Sequence, residues 1–579
     1  MTHLYTEYVE LCELLGLSPS EEKTVTDVVN RIELGESGSG QSGLAELTDL
    51  GVSVVTFCDE NQKITHTSLP SKYSSPCRDC VRVKLSICNE IYTDAASSED
   101  TPIFGAALPT LFASLHDIPF ATTASFDEQP WSIVMPHIGC SCTQSTSDTE
   151  QFTWDKARSR EREEVSHSEL QVYGGTSGTR AMEPSEFIAL NRFAIGFASI
   201  VTNPIHSELR SVHLVNSFVY TGADLDSLET AGGKGFTAEQ SLASWLGEAF
   251  ERYYLSGKLP SNQHTVLVDP TTEEISRISE VFGMPALAFD GNVISTTKAD
   301  WKCVGVDNLS SRSKDLLPTS LIWCPDLPNA SDEPPTFSST NGAATGATVQ
   351  EATLQGLLEL IERDAFWLYG RTGISTTAIP RELFPENIEA LIQNETEGDY
   401  SVHLLRTPFD IHVVQTTFAR QEVSAGESYT ARGTGASHSL EVAIARSFAE
   451  CQQMLDSLDT GEQIEPNSFD MRRLWFTGES VRELSNFFGN HSDTLATRQF
   501  EDFPAPTVDS IVMQGEHQGM IFYRYVLHET DRLAVVKVVG SDVNSMDPTF
   551  YRNSSRLRFF ADQLELGNHE IKYRGSLFM

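Results

Sequence analysis

The chain has 579 residues, of which 81 are acidic and 41 are basic, so its formal net charge is −40. A chain of this length exceeds what one ordinary core can hold, and its hydrophobic share of 40% suffices for two or three folded domains. The charge excludes binding to nucleic acid through a general basic surface. Because the acidic residues are spread along the whole chain, we expect a folded protein adapted to high salt, with an ordinary acidic protein as the alternative.

No stretch reaches the roughly 18 uninterrupted apolar residues that a membrane helix needs. The most apolar candidate, "FIALNRFAIGFASIV", is interrupted by Asn191 and Arg192. The N-terminus "MTHLYTEYVELCELLG" carries acidic residues and lacks the basic segment with which a signal peptide begins. We therefore expect a cytoplasmic protein that contacts neither membrane nor nucleic acid.

Residues 1–142 are predicted to form a small mixed α/β domain. Residues 4–16 and 21–34 have the pattern of short amphipathic helices, and residues 51–58 have that of a strand. Between them, residues 35–43 form a flexible Gly/Ser loop.

The same region contains two close cysteine pairs, formed by Cys77, Cys80, Cys140 and Cys142. Four thiolates in two pairs can form a closed, tetrahedral zinc site of the structural kind. Cys58 and Cys88 lie nearby and are alternative ligands. Buried or unpaired thiols remain the other interpretation, since ten cysteines are too few for a secreted disulfide scaffold.

Residues 143–184 are polar, charged and glycine-rich, which predicts a linker or an exposed insertion. From residue 185 to residue 579, helices and strands alternate in a second and larger domain. Strands are predicted in "HTVLVD", in "AVVKVV" and, as a pair, in "HLLRTPFDIHVVQTTFA". The fold class is therefore α/β or α+β.

Three long, periodic helices are predicted at residues 238–255, 349–369 and 440–456. Each follows a glycine-rich segment, "AGGKG", "NGAATG" or "RGTGAS", which we interpret as a turn. A strand, a glycine turn and a helix with polar residues on one face would thus occur three times. This indicates an internal pseudo-repeat.

The first of these helices places two glutamates on one face. Glu248 and Glu251 are three residues apart, with Ser244 one turn away. Like charges at this spacing repel, so either solvent or a bound cation must compensate them. Mg²⁺ commonly takes one or two protein carboxylates and completes its shell with water and phosphate oxygens.

The two other helices repeat the pattern. In the second, Glu359 and Glu362 are followed at once by Arg363, and Glu351 lies two turns earlier. The third offers Arg446, whose planar guanidinium suits phosphate, together with Glu450 and Gln453. The alternative for the third helix is an ordinary ion pair four residues apart. Many carboxylates with a few arginines suit a nucleotide held by several Mg²⁺ ions, although the chain contains neither a P-loop nor a G-x-G-x-x-G segment after a strand.

"GKGFTAEQSLASWLGEAFERYY", "TNGAATGATVQEATLQGLLELIERDAF" and "GTGASHSLEVAIARSFAECQQ" resemble, in order and separation, the three signature blocks of the YcaO family. The resemblance covers residues 185–579. It implies an enzyme that uses ATP and Mg²⁺ to phosphorylate the oxygen of a peptide amide. Attack by a neighbouring Cys, Ser or Thr side chain would then yield an azoline, and attack by external sulfide would yield a thioamide.

The resemblance also implies which residues act. The residues that match the family's nucleotide and metal positions are Lys234, Ser244, Glu248, Glu251, Asn341, Glu351, Glu359, Glu362, Arg363, Arg446, Glu450 and Gln453. Among these, Mg²⁺ is expected on Glu248, Glu251, Glu359 and Glu362. Many members carry Asn where this chain has Ala347, which puts one ligand of the nucleotide in doubt.

The cysteine pairs resemble those of the E1-like domain that is often fused to YcaO enzymes and presents the leader of a precursor peptide. On this basis we expect cyclodehydration of a ribosomally made peptide, with a leader-binding or dehydrogenase protein as a possible partner. The resemblance to the YcaO family also implies a homodimer as a possible assembly. The chain ends in "YRGSLFM" and not in the proline-rich tail of many azoline-forming members, which favours the thioamide alternative. A non-catalytic scaffold with a degenerate nucleotide site is the third interpretation.

Overall fold

The computed structural model describes the chain in segments, together with the backbone of ten short strands outside them. The segments are residues 178–195, 200–202, 204–221, 228–256, 301–324, 340–372, 376–396, 398–420, 429–459, 500–530, 532–541 and 543. In these residues no helix combines the length and the apolar character that crossing a membrane requires. The helices predicted at 4–16 and 21–34, the Gly/Ser loop at 35–43 and the four predicted zinc cysteines lie outside the described residues.

The N-terminal strands form one antiparallel sheet. They are β1 (Leu44–Leu47), β2 (Val52–Cys58), β3 (Ile64–Pro70), β4 (Thr93–Asp94), β5 (Ala121–Ser125) and β6 (Ser132–Val134). The order in the sheet is β1-β2-β3-β5-β6, with β4 paired to β2. The strand predicted at residues 51–58 is confirmed as β2.

The remaining strands are β7 (Gln171–Tyr173), β8 (Gly178–Arg180), β9 (Ile205–Leu209), β10 (Val212–Tyr220), β11 (Leu228–Gly235), β12 (Thr265–Val268), β13 (Ala288–Phe289), β14 (Asn292–Val293), β15 (Trp301–Asn308), β16 (Lys314–Pro318), β17 (Ala343–Gly346), β18 (Thr377–Ala378), β19 (Asp399–Leu405), β20 (His412–Arg420), β21 (Tyr429–Ser437), β22 (Phe522–Glu529) and β23 (Ala534–Gly540). The α-helices of the described residues are α1 (Pro184–Asn191), α2 (Ala238–Leu255), α3 (Val349–Thr372), α4 (Glu386–Gln393), α5 (Leu440–Asp459) and α6 (Val508–His517). Short 3₁₀ turns lie at Arg192–Ala194, Thr319–Leu321 and Arg381–Leu383.

The three predicted helices are confirmed as α2, α3 and α5. Helix α2 begins where a side-chain cap forms, since the hydroxyl of Thr237 accepts the N–H of Gln240. Helices α3 and α5 run three residues further than predicted, to Thr372 and Asp459. The strands predicted in "HTVLVD" and "AVVKVV" are β12 and β23, and the predicted pair is β19 and β20.

Each of three sheets ends in a glycine-rich edge strand. The strand orders are β9-β10-β11, β12-β15-β22-β23-β17 with β16 beside β15, and β18-β19-β20-β21. Strands β7 and β8 form a separate ribbon, as do β13 and β14. All of these pairs are antiparallel, so the mixed fold predicted from the sequence is of the α+β kind.

Helices and sheets alternate around a ring. Helix α2 packs on β10 and β11 and also on β17, which belongs to the next sheet. Helix α3 packs on β17 and β23 and also on β21, and α5 packs on β20 and β21 and also on β11. The three edge strands therefore meet at the centre of the ring, each covered by the helix that follows it in the chain.

The interpretation of the glycine-rich segments as turns is wrong for most of their residues, which lie in the edge strands β11, β17 and β21. Only Asn341 and Gly342, which precede β17, form a turn. Their glycines allow each helix to lie directly on its strand. A Cβ on Gly233 would stand 2.1 Å from the carbonyl oxygen of Ser241, and one on Gly433 would stand 2.2 Å from that of Ser447. The repeated unit is thus a glycine-rich strand with a helix folded back on it.

The largest apolar core lies around α3. Phe366 and Leu357 on this helix are fully buried, as are Val536 and Val538 on β23. Burying a side chain of this size stabilises a fold by about 1.5–3 kcal/mol. The apolar face of α3 is therefore fixed against the sheet, and its polar face turns towards the centre of the ring.

Candidate active site

A cavity of about 310 Å³ lies where α2, α3 and α5 meet the edge strands. This volume is at the lower end of the range for small-molecule sites. The charged residues that line it are Arg180, Lys234, Glu248, Glu251, Glu351, Glu359, Glu362, Arg363, Arg446 and Glu450. Ser244 and Ala347 line it as well. Ten of the twelve residues that were predicted for the site thus lie around one cavity, although their roles remain predictions.

The two glutamates of α2 differ in their surroundings. Glu248 accepts a hydrogen bond of 3.1 Å from Arg252, and about a third of its side chain is exposed. Glu251 accepts the backbone N–H of Thr345 over 2.7 Å. Burial, followed by the charges of Glu359 and Glu248, raises the pKa of Glu251 to about 8. For Glu251, burial and the two neighbouring carboxylates therefore outweigh the backbone bond from Thr345 and the charge of Arg252.

Helix α3 presents a row of carboxylates to the cavity. Glu351 accepts the backbone N–H of Ala347 over 2.9 Å, and Glu359 accepts that of Gly342 over 3.0 Å. Burial raises the pKa of Glu351 and also that of Glu359. Each carboxylate is thus held by a backbone donor, as expected for groups whose direction matters.

Glu362 of α3 and Glu450 of α5 both lie within hydrogen-bond distance of the Thr434 hydroxyl on β21. Burial, and then the charge of Glu450, raise the pKa of Glu362. For Glu450 the effect of burial is outweighed by Lys234, Arg363 and the bonds from Thr434, which together hold its pKa below the ordinary value. Of this pair, Glu450 is therefore the more readily ionised.

Arg363 connects the carboxylates of two helices. Its guanidinium lies 3.8 Å from Glu359, 3.8 Å from Glu362 and 3.6 Å from Glu450. Burial disfavours the charge, but these three carboxylates outweigh burial and raise the pKa of Arg363 above its ordinary value. Arg363 therefore stays charged and is the cation at the centre of the site.

Arg446 of α5 lies at the other end of the cavity. It donates to the carbonyl of Ala436 over 3.0 Å and to the side chain of Gln355 over 3.3 Å. Burial, and then the charge of Arg180, lower the pKa of Arg446 to about 10. Two arginines that act on each other electrostatically in one cavity are suited to an anion.

Arg180 was not predicted as a site residue, because it falls in the segment interpreted as a linker. Strand β8 brings it to within 3.7 Å of Glu351, and the carbonyl of Thr179 accepts a hydrogen bond from Gln355. Nη1 of Arg180 is buried and has no hydrogen-bond partner in the described part of the chain. No local feature of "SGTRAMEP" distinguishes this arginine from those of a solvated loop.

Two further residues were missed. Thr434 bonds both Glu362 and Glu450. Lys537 is 3% exposed and donates to the carbonyl of Asn341, and its charge acts on Glu359. A lysine in the middle of the apolar run "AVVKVV" was the signal for the second. For Thr434, the sequence offered no signal beyond its position between two glycines.

Two predicted residues lie behind the cavity wall. Asn341 is 7% exposed and offers its carbonyl to Lys537. Gln453 accepts a hydrogen bond of 3.1 Å from Lys234, whose ammonium also lies 3.9 Å from Glu450. Gln453 therefore fixes the lysine that faces the cavity, and Asn341 belongs to the turn that supports Glu359.

The donor set of the cavity fits Mg²⁺ that is shared with phosphate. Within the described ranges, no three His, Cys, Asp or Glu side chains form a closed metal-ligand group. Mg²⁺ does not require one, since it keeps water and phosphate oxygens in its shell. Burial, and then the negative charges of Glu359 and Glu248, raise the pKa of Glu251, and a bound cation would favour the ionised form of this carboxyl group. The zinc site predicted on Cys77, Cys80, Cys140 and Cys142 lies outside the described residues and stays a prediction.

Residues 232–541 match the model of a protein family described as YcaO cyclodehydratase, ATP- and Mg²⁺-binding. An uncharacterized protein of Methanothermobacter thermautotrophicus is 23% identical over 383 residues, which are 64% of this chain and 96% of that protein. An uncharacterized protein from the tfuA 3' region of Rhizobium leguminosarum is 28% identical over 190 residues, which are 33% of this chain and 43% of that protein.

Two solved structures show the same fold. A heterocyclase in complex with substrate and cofactor has a TM-score of 0.62 at 18% identity, over 94% of this chain and 78% of that one. The heterocyclase TruD has a TM-score of 0.52 at 16% identity, over 98% of this chain and 80% of that one. The family match spans more than half of the sequence and includes the three helices of the cavity. The chain therefore belongs to the YcaO family and is an ATP-dependent enzyme of the cyclodehydratase type.

Proposed function

We propose that this protein uses ATP and Mg²⁺ to activate backbone amides of a ribosomally made peptide, and that its product is an azoline formed from Cys, Ser or Thr. The observation that carries the proposal is the single cavity in which carboxylates from three helices face arginine and lysine side chains. Carboxylates alone would suit a metal, and cations alone would suit an anion. The combination suits a metal-bound triphosphate.

Two of the cavity's cations, Arg180 and Arg446, lie near each other, whereas Arg363 lies among the carboxylates. Arg180 and Arg446 act on each other electrostatically and lie near Gln355, two turns before Glu362 along α3. We assign to these arginines the contact with phosphate oxygens, because a guanidinium offers several donors in one plane. Nη1 of Arg180 would gain there the hydrogen bond that it lacks in the described structure.

The carboxylates Glu248, Glu251, Glu359 and Glu362 would hold Mg²⁺. When bound, ATP with Mg²⁺ supplies the phosphoryl group that turns the amide oxygen into a leaving group. The residues of the chain contribute orientation and charge: Thr345 holds Glu251, Gly342 holds Glu359, and Arg363 remains charged beside Glu362. Fixed charges in an enclosed site stabilise developing charge more than water does.

Ala347 contributes to this arrangement through its backbone. It lines the cavity, and its backbone N–H donates to Glu351 over 2.9 Å. A side-chain amide at this position would add a donor or acceptor that alanine lacks. We infer that the backbone of Ala347 orients Glu351 and that the nucleotide contacts the remaining wall.

Residues 1–142 would present the leader of the precursor peptide, with a structural zinc ion on the two cysteine pairs. A leader-binding or dehydrogenase protein would act beside this chain, and the assembly would be a homodimer. The assignment of residues 1–142 rests on the resemblance of the cysteine pairs to an E1-like domain, and the homodimer rests only on its being common in the YcaO family. Zinc analysis of the wild type and of Cys77→Ser tests the former, and the absence of stoichiometric zinc from the wild type would remove the zinc site.

The test of the reaction is the intact mass of the precursor peptide encoded beside the gene, after incubation with this protein, ATP and Mg²⁺ in high salt. We expect the loss of one water for each modified residue. Replacement of an oxygen by a sulfur would show instead that the same site makes thioamides. An unchanged mass without ATP turnover would favour the scaffold interpretation over catalysis.

Glu362→Gln should abolish the mass change, because it removes a carboxylate of the cavity with almost no change of shape. The matched control is Glu516→Gln on helix α6, since this glutamate is exposed and remote from the cavity lining. Equal activity of Glu362→Gln and wild type would contradict the assignment of the cavity as the active site.

A further inference from the structure

The hydroxyl of Thr434 lies between the carboxylates of two helices. Its Oγ1 is 2.6 Å from Oε1 of Glu362 on α3 and 3.2 Å from Oε2 of Glu450 on α5. The backbone N–H of the same residue donates to Oε2 of Glu450 over 2.6 Å. Thr434 is 2% exposed and lines the cavity. One residue of β21 therefore supports a carboxylate on each side of its strand.

The hydroxyl has one proton, so it can serve only one of the two carboxylates as a donor. The shorter distance assigns the proton to Glu362, and the backbone N–H already serves Glu450. A hydroxyl that donates to a carboxylate over this distance forms a charge-assisted hydrogen bond. The direction of the Glu362 side chain thus depends on the Thr434 hydroxyl, while that of Glu450 depends on the backbone.

The neighbouring residues explain why a threonine stands at this position. Gly433 and Gly435 face α5, where a Cβ would stand 2.2 Å from Ser447 O and 2.5 Å from Ala443 O respectively. Because side chains alternate along a strand, Thr434 faces the other way, towards α3. The glycines let the backbone approach α5 closely enough to bond Glu450, and the side chain reaches Glu362.

We propose that Thr434 is a positioning residue that holds Glu362 in the orientation in which this carboxylate binds a divalent cation. The inference rests on the proposed function of the cavity. Hydrogen bonds to metal-binding carboxylates commonly set metal affinity, and their removal costs about 10–100-fold. The donor that does this for Glu362 is the hydroxyl of a strand residue, outside the carboxylate helices themselves.

The test compares Thr434→Val, which removes the hydroxyl and keeps the branched shape, with Thr434→Ser, which keeps the hydroxyl. Binding of Mn²⁺ to the full chain is measured by the loss of the free Mn²⁺ signal in electron paramagnetic resonance, in the presence of a non-hydrolysable ATP analogue. We expect Thr434→Val to weaken Mn²⁺ binding by about tenfold and Thr434→Ser to bind within about threefold of the wild type.

Thr416→Val is the matched control. Thr416 is fully buried on β20, directly opposite Gly433, and its hydroxyl bonds Ser447 over 2.7 Å, away from the carboxylates. Thr416→Val should reduce the stability of the fold to a similar extent as Thr434→Val and leave Mn²⁺ affinity unchanged. If Thr434→Val does not fold, Thr434→Ala removes the same hydroxyl without placing a methyl group against a carboxylate, and the same loss is expected.

The outcomes separate this inference from the proposed function. If the wild type binds no Mn²⁺ with the analogue, both fail. If the wild type binds and Glu362→Gln does not, but the hydroxyl-free variants bind like the wild type, the inference alone is overturned. A similar loss in Thr416→Val would also overturn it, because the effect would then come from general destabilisation of the sheet.

Discussion

The backbone N–H of Thr345 donates to Oε1 of Glu251 over 2.7 Å, and the hydroxyl of the same residue donates to the carbonyl of Gly247 over 2.9 Å. Strand β17 is thus hydrogen-bonded to helix α2 at two points, although the two elements belong to different units of the ring. The position of the Glu251 carboxylate is therefore set by another sheet as well as by its own helix. Cation binding at Glu251 should therefore depend on how the neighbouring units of the ring pack together.

The affinity for Mg²⁺ or Mn²⁺ should rise with pH between about 6 and 8. Glu251, with a pKa raised to about 8, holds a proton in this range that a cation must displace. One displaced proton gives up to about a tenfold rise in affinity for each pH unit below the pKa. Titration calorimetry at several pH values measures the slope, and Glu251→Gln should flatten it. An affinity that does not change between pH 6 and 8 would contradict this role.

The stability of the metal-free protein should fall over the same range. A carboxylate whose folded-state pKa lies above its unfolded value stabilises the fold fully below the unfolded value, near 4.5, and this contribution is lost as pH rises towards 8. Thermal unfolding with a chelator present measures the effect. The melting temperature of Glu251→Gln should decline less than that of the wild type, and parallel declines would show that Glu251 is not responsible.

Arg180→Met should raise the KM for ATP by about 10–150-fold, which corresponds to one charge-assisted hydrogen bond of about 1.5–3 kcal/mol. Methionine keeps the apolar stem of the side chain and removes the guanidinium that faces the cavity. Arg192, which is exposed on the 3₁₀ turn after α1, provides the control variant Arg192→Met. Steady-state kinetics measures both, and an unchanged KM in Arg180→Met would exclude Arg180 from the nucleotide site.

Gly433→Ala should lower the free energy of unfolding by about 1–3 kcal/mol, because a Cβ there would collide with the backbone of α5. Gly305→Ala on β15 is the control, since nothing lies within 4 Å of the Cβ that it adds. Urea denaturation compares the two variants. If both variants unfold like the wild type, the contact between β21 and α5 is looser than described.

The local sequence pattern was sufficient to predict the three long helices but not the glycine-rich strands. The periodicity of α2 and its Thr237 cap lie within the helix itself, so its limits could be predicted. The glycines of β11 and β21 are needed because a helix covers them, and that contact is non-local. Single-residue reasoning therefore assigned them to turns, the commonest place for glycine.

The candidate site was predictable to the extent that its residues repeat in sequence. Glu251 and Glu362 stand out because each belongs to a spaced pair followed by arginine. Arg180 lies on a strand more than fifty residues before the first of these pairs in the sequence, and Lys537 lies near the C-terminal end of the chain. Only the packing of β8 and β23 brings them to the carboxylates, so no spacing rule could have included them.

In the proposed reaction, the oxygen of a peptide amide leaves on phosphate. The most direct measurement uses a precursor peptide whose modifiable amide carries ¹⁸O, incubated with this protein, ATP and Mg²⁺, with mass analysis of the phosphate released. We expect one ¹⁸O in the phosphate for each residue modified. Phosphate that contains no ¹⁸O and takes its fourth oxygen from solvent water, beside a modified peptide, would contradict activation of the amide by ATP.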